Sequence, residues 1–311
     1  MSFLAAFGHV VVDRIMRVER FPAPNSSIAI RSQRTAFGGT AGNLARMASR
    51  LGVGTALASF VGDDFPKKYY AALKEDGVDL EDLRVVKGRI TPVCYVFTDG
   101  KNQLNFIDQG AMKDAEMFDV LEHAVRSSKV VHIGTGSPGY YGKVVALCRK
   151  LGRDVAFDPG QEIHYMYDPE SLRVMLEASK YMFCNEGELQ RALAFLDLEG
   201  PKDLLDFVDV LVVTRGEKGS EIYASRSTIN VPAVKPGKFV DATGAGDAYR
   251  AGFYAGLSRC LGLEECGMAG AAASSIVVES LGAQTDLPSW KDVGDRLKAH
   301  SQQRREKHIF P

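Results

Sequence analysis

The stretch "VVHIGTGSPGYYGKVVALCRKLGRDVAFD" (residues 130–158) runs from an apolar segment through a helical one into a second apolar segment. A strand, a crossover helix and another strand, in that order, make two parallel neighbours in one sheet. The pattern continues with "ESLRVMLEASK" as a helix and with "YMFCN" (181–185) and "VDVLVVT" (208–214) as further buried runs. Apolar runs alternating with helices predict a parallel sheet covered on both faces, the doubly wound α/β class. Polar or glycine residues end these runs. They fall on the sheet's carboxyl edge, where open α/β sheets bind ligands.

The same stretch contains a formal G-x-G-x-x-G at Gly134, Gly136 and Gly139, and Asp158 follows about 20 residues on, the spacing of a dinucleotide-binding unit. An NAD-binding dehydrogenase is therefore one reading of the chain. Against it stand Pro138, where the turn should feed a helix, and the motif's mid-chain position.

Two other regions read differently. "CYVFTDGKNQLNFID" (94–108) is two extended runs joined by Asp99-Gly100-Lys101-Asn102, a hairpin signature, and residues 10–37 are strand-like around Pro22 and Pro24. Parts of 10–37 and 91–110 are expected to form a small antiparallel sheet, serving as a lid, a dimer surface or both. The 38 basic and 39 acidic side chains give a net charge of −1, which offers no overall field for nucleic acid or an anionic membrane. Five cysteines without a C-x-x-C read as reduced thiols, no run approaches a membrane span, and the apolar N-terminus reads as a buried strand. Together these predict a soluble, cytoplasmic protein.

Chemistry concentrates in two glycine-rich places. In "DATGAGDAYRAGF" (241–253), Gly244 and Gly246 let successive N–H groups converge at the start of a helix, a cradle for an anion. A cradle that only bound phosphate would not carry a carboxylate, yet Asp247 is there. If a hydroxyl attacks a terminal phosphate, Asp247 accepts its proton and the amides of residues 244–247 stabilise the developing charge. The alternative is an Asp capping a helix after a glycine turn. In "FGGTAGNLARMASRLG" (37–52), Gly39 allows close backbone approach and Asn43 offers donors and an acceptor suited to sugar hydroxyls. Asp13, ending a strand, could accept from the same hydroxyls, though both residues also suit ordinary helix starts and turns. No G-x-x-x-x-G-K-[ST] occurs, which excludes a P-loop. The six histidines have no zinc-like spacing.

These two signatures, in this order and this far apart, resemble those of the ribokinase-like (PfkB) kinase family, and the similarity spans nearly the whole chain. The resemblance implies one kinase domain over 1–311, a doubly wound α/β body with a small β lid, and transfer of phosphate from ATP with magnesium to a hydroxymethyl group. It implies Asp247 as the base, Gly244, Ala245 and Gly246 as the anion hole, and Asp13, Gly39 and Asn43 as substrate ligands. "NEGE" (185–188) is similar to the family's N-x-x-E element, implying that Asn185 and Glu188 organise magnesium through water, although the same pattern is a capping box. "TRGEKG" resembles the turn bordering the nucleotide, with Thr214, Gly216 and Gly219. "GAAASSIVVE", with Ala273, falls where the family lines its adenine pocket, and could equally mean close helix packing. Asp241 and Thr243 resemble positions near the family's monovalent-cation loop.

Within the family, "FPAPNSSI", "FDPGQ", "QGAM" and "AGFYAGL…GAQT" look like the archaeal nucleoside kinases and their bacterial relatives. That likeness implies a ribonucleoside substrate, with a sugar such as ribose or fructose as the alternative. Base contacts are expected from the lid and from Gln109, Met112 and Gln161, whose adaptable side chains would tolerate several bases. A homodimer through the lid is the expected assembly. A catalytically inactive sensor is the remaining rival, and the intact Asp247 and glycines argue against it.

Overall fold

In the computed structural model, which describes residues 2–225 and 227–309, the chain alternates strands and helices almost throughout. The first half runs β1 (Leu4–Phe7), β2 (Val11–Arg17), β3 (Ser32–Gly38), α1 (Thr40–Arg50), β4 (Thr55–Gly62), α2 (Lys67–Glu75), β5 (Leu83–Val86), β6 (Val93–Thr98) and β7 (Gln103–Asp108). It continues with α3 (Glu122–Ser127), β8 (Val130–Ile133), α4 (Pro138–Leu151), β9 (Asp154–Phe157), α5 (Pro169–Glu177), β10 (Tyr181–Asn185) and α6 (Glu186–Leu196). Then come β11 (Val210–Thr214), β12 (Ser220–Ala224), β13 (Ser227–Val231), α7 (Ala245–Ser258), α8 (Leu263–Val277) and α9 (Trp290–Ile309).

Nine strands form the large sheet in the order β13-β12-β11-β10-β9-β8-β1-β4-β5. From β11 to β5 every pairing is parallel, while β12 and β13 close one edge as an antiparallel pair. Alternation along β1 shows why both faces must be covered. Leu4 and Ala6 pack into one apolar layer with α1, α7 and α8, and Ala5 and Phe7 into the other with α3 to α6.

The small sheet has the order β3-β2-β6-β7. Its β2–β3 and β6–β7 pairings are antiparallel, as the hairpin signature predicts, and the central β2–β6 pairing is parallel. β7 is exposed along its whole length, and Leu104 and Phe106 stand out from it.

α7 and α8 pack tightly enough that glycine is required at their crossing. A Cβ on Gly252 would lie 2.5 Å from the Ala269 carbonyl oxygen, and one on Gly270 would lie 2.7 Å from that of Tyr249. Ala273, one turn further along α8, is fully buried. The small residues at 252 and 270 therefore serve helix packing.

No cysteine is in a disulfide. Burial pushes the Cys94, Cys148 and Cys266 thiols up to about 12 and the Cys184 thiol well above its usual range. Cys260 alone is exposed, just beyond the end of α7. No described helix is long and apolar enough to cross a membrane.

Candidate active site

α7 starts from Gly244, whose φ of +80° belongs to the left-handed region that glycine tolerates. The first N–H groups of a helix have no intrahelical acceptor. That of Ala245 bonds the carbonyl of Ala242 at 3.1 Å, so Ala245 is spent on the turn and the donors at this helix start are Gly246 and Asp247. Gly246 also makes room for a neighbour: a Cβ there would lie 2.6 Å from Nη1 of Arg250.

Asp247 is nearly buried, at 9% exposure. Its Oδ2 accepts from Asn43 Nδ2 at 2.8 Å, and its Oδ1 lies 3.6 Å from Arg250 Nη1. Burial raises its pKa to about 6, against the opposing effects of the Arg250 charge and the Asn43 hydrogen bond. Asp13, on β2, is raised to about 7, mainly by burial, with Arg34 opposing and the Asp247 charge adding to it. A carboxylate with a pKa near working pH, beside a helix N-terminus, is what a general base requires.

Asn43 reaches this place because Gly39, at φ +90°, turns the chain from β3 into α1. A Cβ on Gly39 would lie 2.7 Å from the backbone nitrogen of Val11, so only glycine fits. Asn43 Oδ1 accepts from Gln284 Nε2 at 2.7 Å. The amide thus donates to Asp247 and accepts from Gln284, which fixes which way round it stands.

Behind Asp247, Arg250 makes a two-pronged contact with Asp158 at the end of β9, through Nε and, at 2.7 Å, through Nη2. His132 Nε2 is 3.7 Å from Asp158, and burial holds this imidazole's pKa well below the usual value, so the histidine is neutral. Its Nδ1 pairs with the Tyr254 hydroxyl at 2.8 Å, which makes it a satisfied core histidine. Glu188 is also buried and raised, first by desolvation and then by the Asp158 charge. Arg250 feels Asp158, Asp247 and Glu188 together, one cation among three buried carboxylates.

A cleft of about 620 Å³ opens where the small sheet meets the body, lined by Tyr95, Phe106, Gln109, Met112 and Met166 among others. Tyr95 follows Cys94, the register partner of Asp13. Gln109 cannot rotate there. Its Oε1 pairs with His9 Nε2, and its Nε2 donates to Glu162 Oε1 at 2.9 Å. Glu162, fully buried, also accepts from the Gly136 N–H at 2.5 Å and the Tyr165 hydroxyl at 3.0 Å. Gln161, expected in this cleft, is exposed, because its short 3₁₀ turn points Glu162 inward instead.

A family model for pfkB family carbohydrate kinases matches residues 1–290. The chain belongs to that family. A nucleoside kinase of Methanocaldococcus jannaschii is 40% identical over 303 residues, covering 96% of this chain and 98% of its own. The crystal structure of a nucleoside kinase from the same organism, described as an archaeal member of the ribokinase family, superposes with a TM-score of 0.88 at 39% identity, covering 96% and 99% of the two chains. A Burkholderia thailandensis nucleoside kinase in complex with inosine gives a TM-score of 0.88 at 25% identity, covering 96% and 98%. As a pfkB-family member the chain is a phosphotransferase acting on a hydroxyl group, with the ribokinase-like α/β fold.

The dehydrogenase reading is overturned. In this pfkB-family chain Pro138 occupies the first turn of α4, where proline is well tolerated, and Ser137 caps the helix. The proline is thus no obstacle; the glycines are what exclude a dinucleotide. A Cβ on Gly136 would lie 2.8 Å from Tyr141 Cζ, and one on Gly139 would lie 2.6 Å from the Glu116 carboxyl carbon, so the protein's own side chains fill the space. Asp158 is committed to Arg250.

Asn185 and Glu188 form the reciprocal capping box at the start of α6, with bonds of 2.9 and 2.8 Å. Only Oε2 of Glu188 takes part. Thr214 ends β11 and donates weakly to the Cys184 carbonyl at 3.4 Å. Gly216 (φ +56°) and Gly219 (φ +94°) shape the turn that follows. Both oxygens of Asp241 are used, by Thr243 and by the Gly282 N–H at 2.8 Å, so Asp241 braces the loop before α7.

Four residues of the site are absent from the sequence-based expectations as site residues: Arg250, Gln284, Glu162 and His9. Arg250 stands three residues after Asp247 in the motif itself. A charge at i+3 on the same helix face was the available signal.

Proposed function

We propose that the protein is an ATP- and magnesium-dependent kinase that phosphorylates the 5′-hydroxyl of ribonucleosides, with Asp247 as general base. The cleft beside the small sheet carries this reading, because a bare sugar would leave its apolar lining wet whereas a base would cover it. Whole-length nucleoside kinase relatives, and the inosine bound by one structural neighbour, support it further. In this scheme Asp13 and the Asn43 N–H hold ribose hydroxyls, and Asp247 takes the proton of the attacking 5′-hydroxyl. The N–H groups of Gly246 and Asp247 face the phosphate, with Thr214, Gly216 and Gly219 alongside the nucleotide. The donor chemistry fits magnesium: three buried carboxylates share one guanidinium and leave negative charge to be balanced. Asn185 and Glu188 would hold it through water, and its chemistry is to neutralise charge on the transferring phosphate. The same reading includes a monovalent cation near Asp241 and Thr243, a cytoplasmic setting and a homodimer through the small sheet. The exposed Leu104 and Phe106 support the dimer.

The deciding experiment assays inosine, adenosine, guanosine, cytidine, ribose and fructose with ATP and magnesium. The nucleosides are expected to have the higher kcat/KM, and 2′-deoxynucleosides to fall about ten- to a hundredfold below ribonucleosides, since a buried partner facing a missing hydroxyl loses roughly 1–3 kcal/mol. Ribose or fructose outperforming all four nucleosides would overturn the reading in favour of a sugar kinase.

Glu188→Gln keeps the cap, since Gln serves in a capping box as well as Glu. The variant should melt close to wild type yet need several-fold more magnesium for half-maximal rate. An unchanged magnesium dependence assigns Glu188 to helix capping alone.

A further inference from the structure

We propose that Gln284 is a positioning residue for phosphoryl transfer, the central link of a one-way hydrogen-bond chain from Arg46 to the carboxylate of Asp247. The inference rests on Asp247 being the base. Arg46 can only donate and an ionised carboxylate can only accept, so the two ends fix the sense of everything between them. Arg46 Nη1 donates to Gln284 Oε1 at 2.9 Å, Gln284 Nε2 to Asn43 Oδ1 at 2.7 Å, and Asn43 Nδ2 to Asp247 Oδ2 at 2.8 Å.

A side branch agrees with this sense. Gln284 Nε2 also lies 2.7 Å from the Tyr69 hydroxyl, whose own hydrogen goes to the Gly38 carbonyl at 2.7 Å, leaving that oxygen only an accepting role. Turning over either amide would set acceptor against acceptor and donor against donor at its two contacts along the chain. The chain is anchored at its far end, where Arg46 Nε bonds Asp76 Oδ2 at 2.5 Å.

Three elements meet through Gln284: α1, which carries Asn43 and Arg46 one turn apart; the end of α2, which carries Asp76; and the segment after α8. With Oδ2 of Asp247 held by Asn43, Oδ1 is left for the substrate hydroxyl. With its Oδ1 accepting from Gln284 and its Nδ2 donating to Asp247, Asn43 keeps a second amide hydrogen for a substrate hydroxyl, which can in turn donate to Asp13.

Two substitutions of nearly the same size test the role. Gln284→Glu still accepts from Arg46 but has no hydrogen for Asn43, which then turns its oxygen toward Asp247. Gln284→Met fills the volume and carries neither end of the chain. Both are expected to lose about 10- to 100-fold in kcat. The KM for ATP should stay within about twofold, and the melting temperature within about 3 °C. The assay uses whichever acceptor, sugar or nucleoside, the wild type phosphorylates fastest, and is repeated in an Asp247→Asn background, where Gln284→Glu should add little further loss. If kcat stays within about twofold in both variants, or if only the melting temperature moves, Gln284 is structural and the inference is wrong. Should Asp247→Asn itself remain active, the assignment of the base fails instead, which is a separate outcome.

Discussion

Asp247→Asn is expected to lower kcat about 10²–10⁴-fold while nucleoside binding changes little. The amide oxygen can still accept from Asn43, so the shape of the site persists and only proton acceptance is lost. The pH dependence carries a second check. With a pKa of about 6, the base is protonated in acid, so wild-type kcat should fall as pH drops through about 6, and that limb should be missing in the variant. Stability should move the other way. A carboxyl whose folded pKa is raised from 3.8 to about 6 favours the folded state when protonated, and that advantage is lost as pH rises between the two values. Asn never ionises. The variant should therefore be more stable than wild type at pH 7, on the order of 1–3 kcal/mol, with the gap closing below about pH 4. A variant with kcat within tenfold of wild type would remove Asp247 from the role of base.

Arg250→Met should be among the most damaging single changes to folding. Removing one partner of a buried ion pair costs about 3–5 kcal/mol, because the remaining charge is left unpaired. Here the loss leaves Asp158, Asp247 and Glu188 facing one another, since the nearby His132 is neutral. Urea unfolding should show the loss at pH 7.5 and a smaller one at pH 5, where the carboxyls take up protons. Adding Asp158→Asn to Arg250→Met should recover part of the stability, because the most closely held carboxylate goes with its partner. A loss under about 1 kcal/mol for the single variant would mean that Arg250 does not hold this cluster together.

Much of this was legible in the sequence. The runs at 130–134, 154–158, 181–185 and 208–214 became β8, β9, β10 and β11 within a residue or two, because apolar patterning is local and strong. Asp247 and Asn43 could be singled out for the same reason: glycine turns before helices are short motifs. Their partners could not. Arg250 meets Asp158 across 92 positions and Gln284 meets Asn43 across 241, and no local pattern encodes such pairs. That Glu162 rather than Gln161 is the buried member of its turn is not legible either, because polarity alone does not say which side of a short turn faces inward. The bonds that hold Gln109 to His9 and Glu162 are likewise long-range and leave no mark in the local sequence. The parallel pairing of β2 with β6 was equally hidden, since hairpin signals report only neighbours in sequence.

The solitary exposed thiol has a practical consequence. Three of the five cysteines are buried, Cys94 is half-buried, and burial raises all four thiols, so a maleimide dye applied to the native protein should attach first at Cys260. That position follows α7, whose other end carries Asp247, with roughly 17 Å of rigid helix between them. A fluorophore there needs no mutagenesis, stands clear of the cleft, and is coupled mechanically to the helix whose first turn carries the proposed base. Ligand binding by the unaltered chain could thus be followed by its own built-in attachment point.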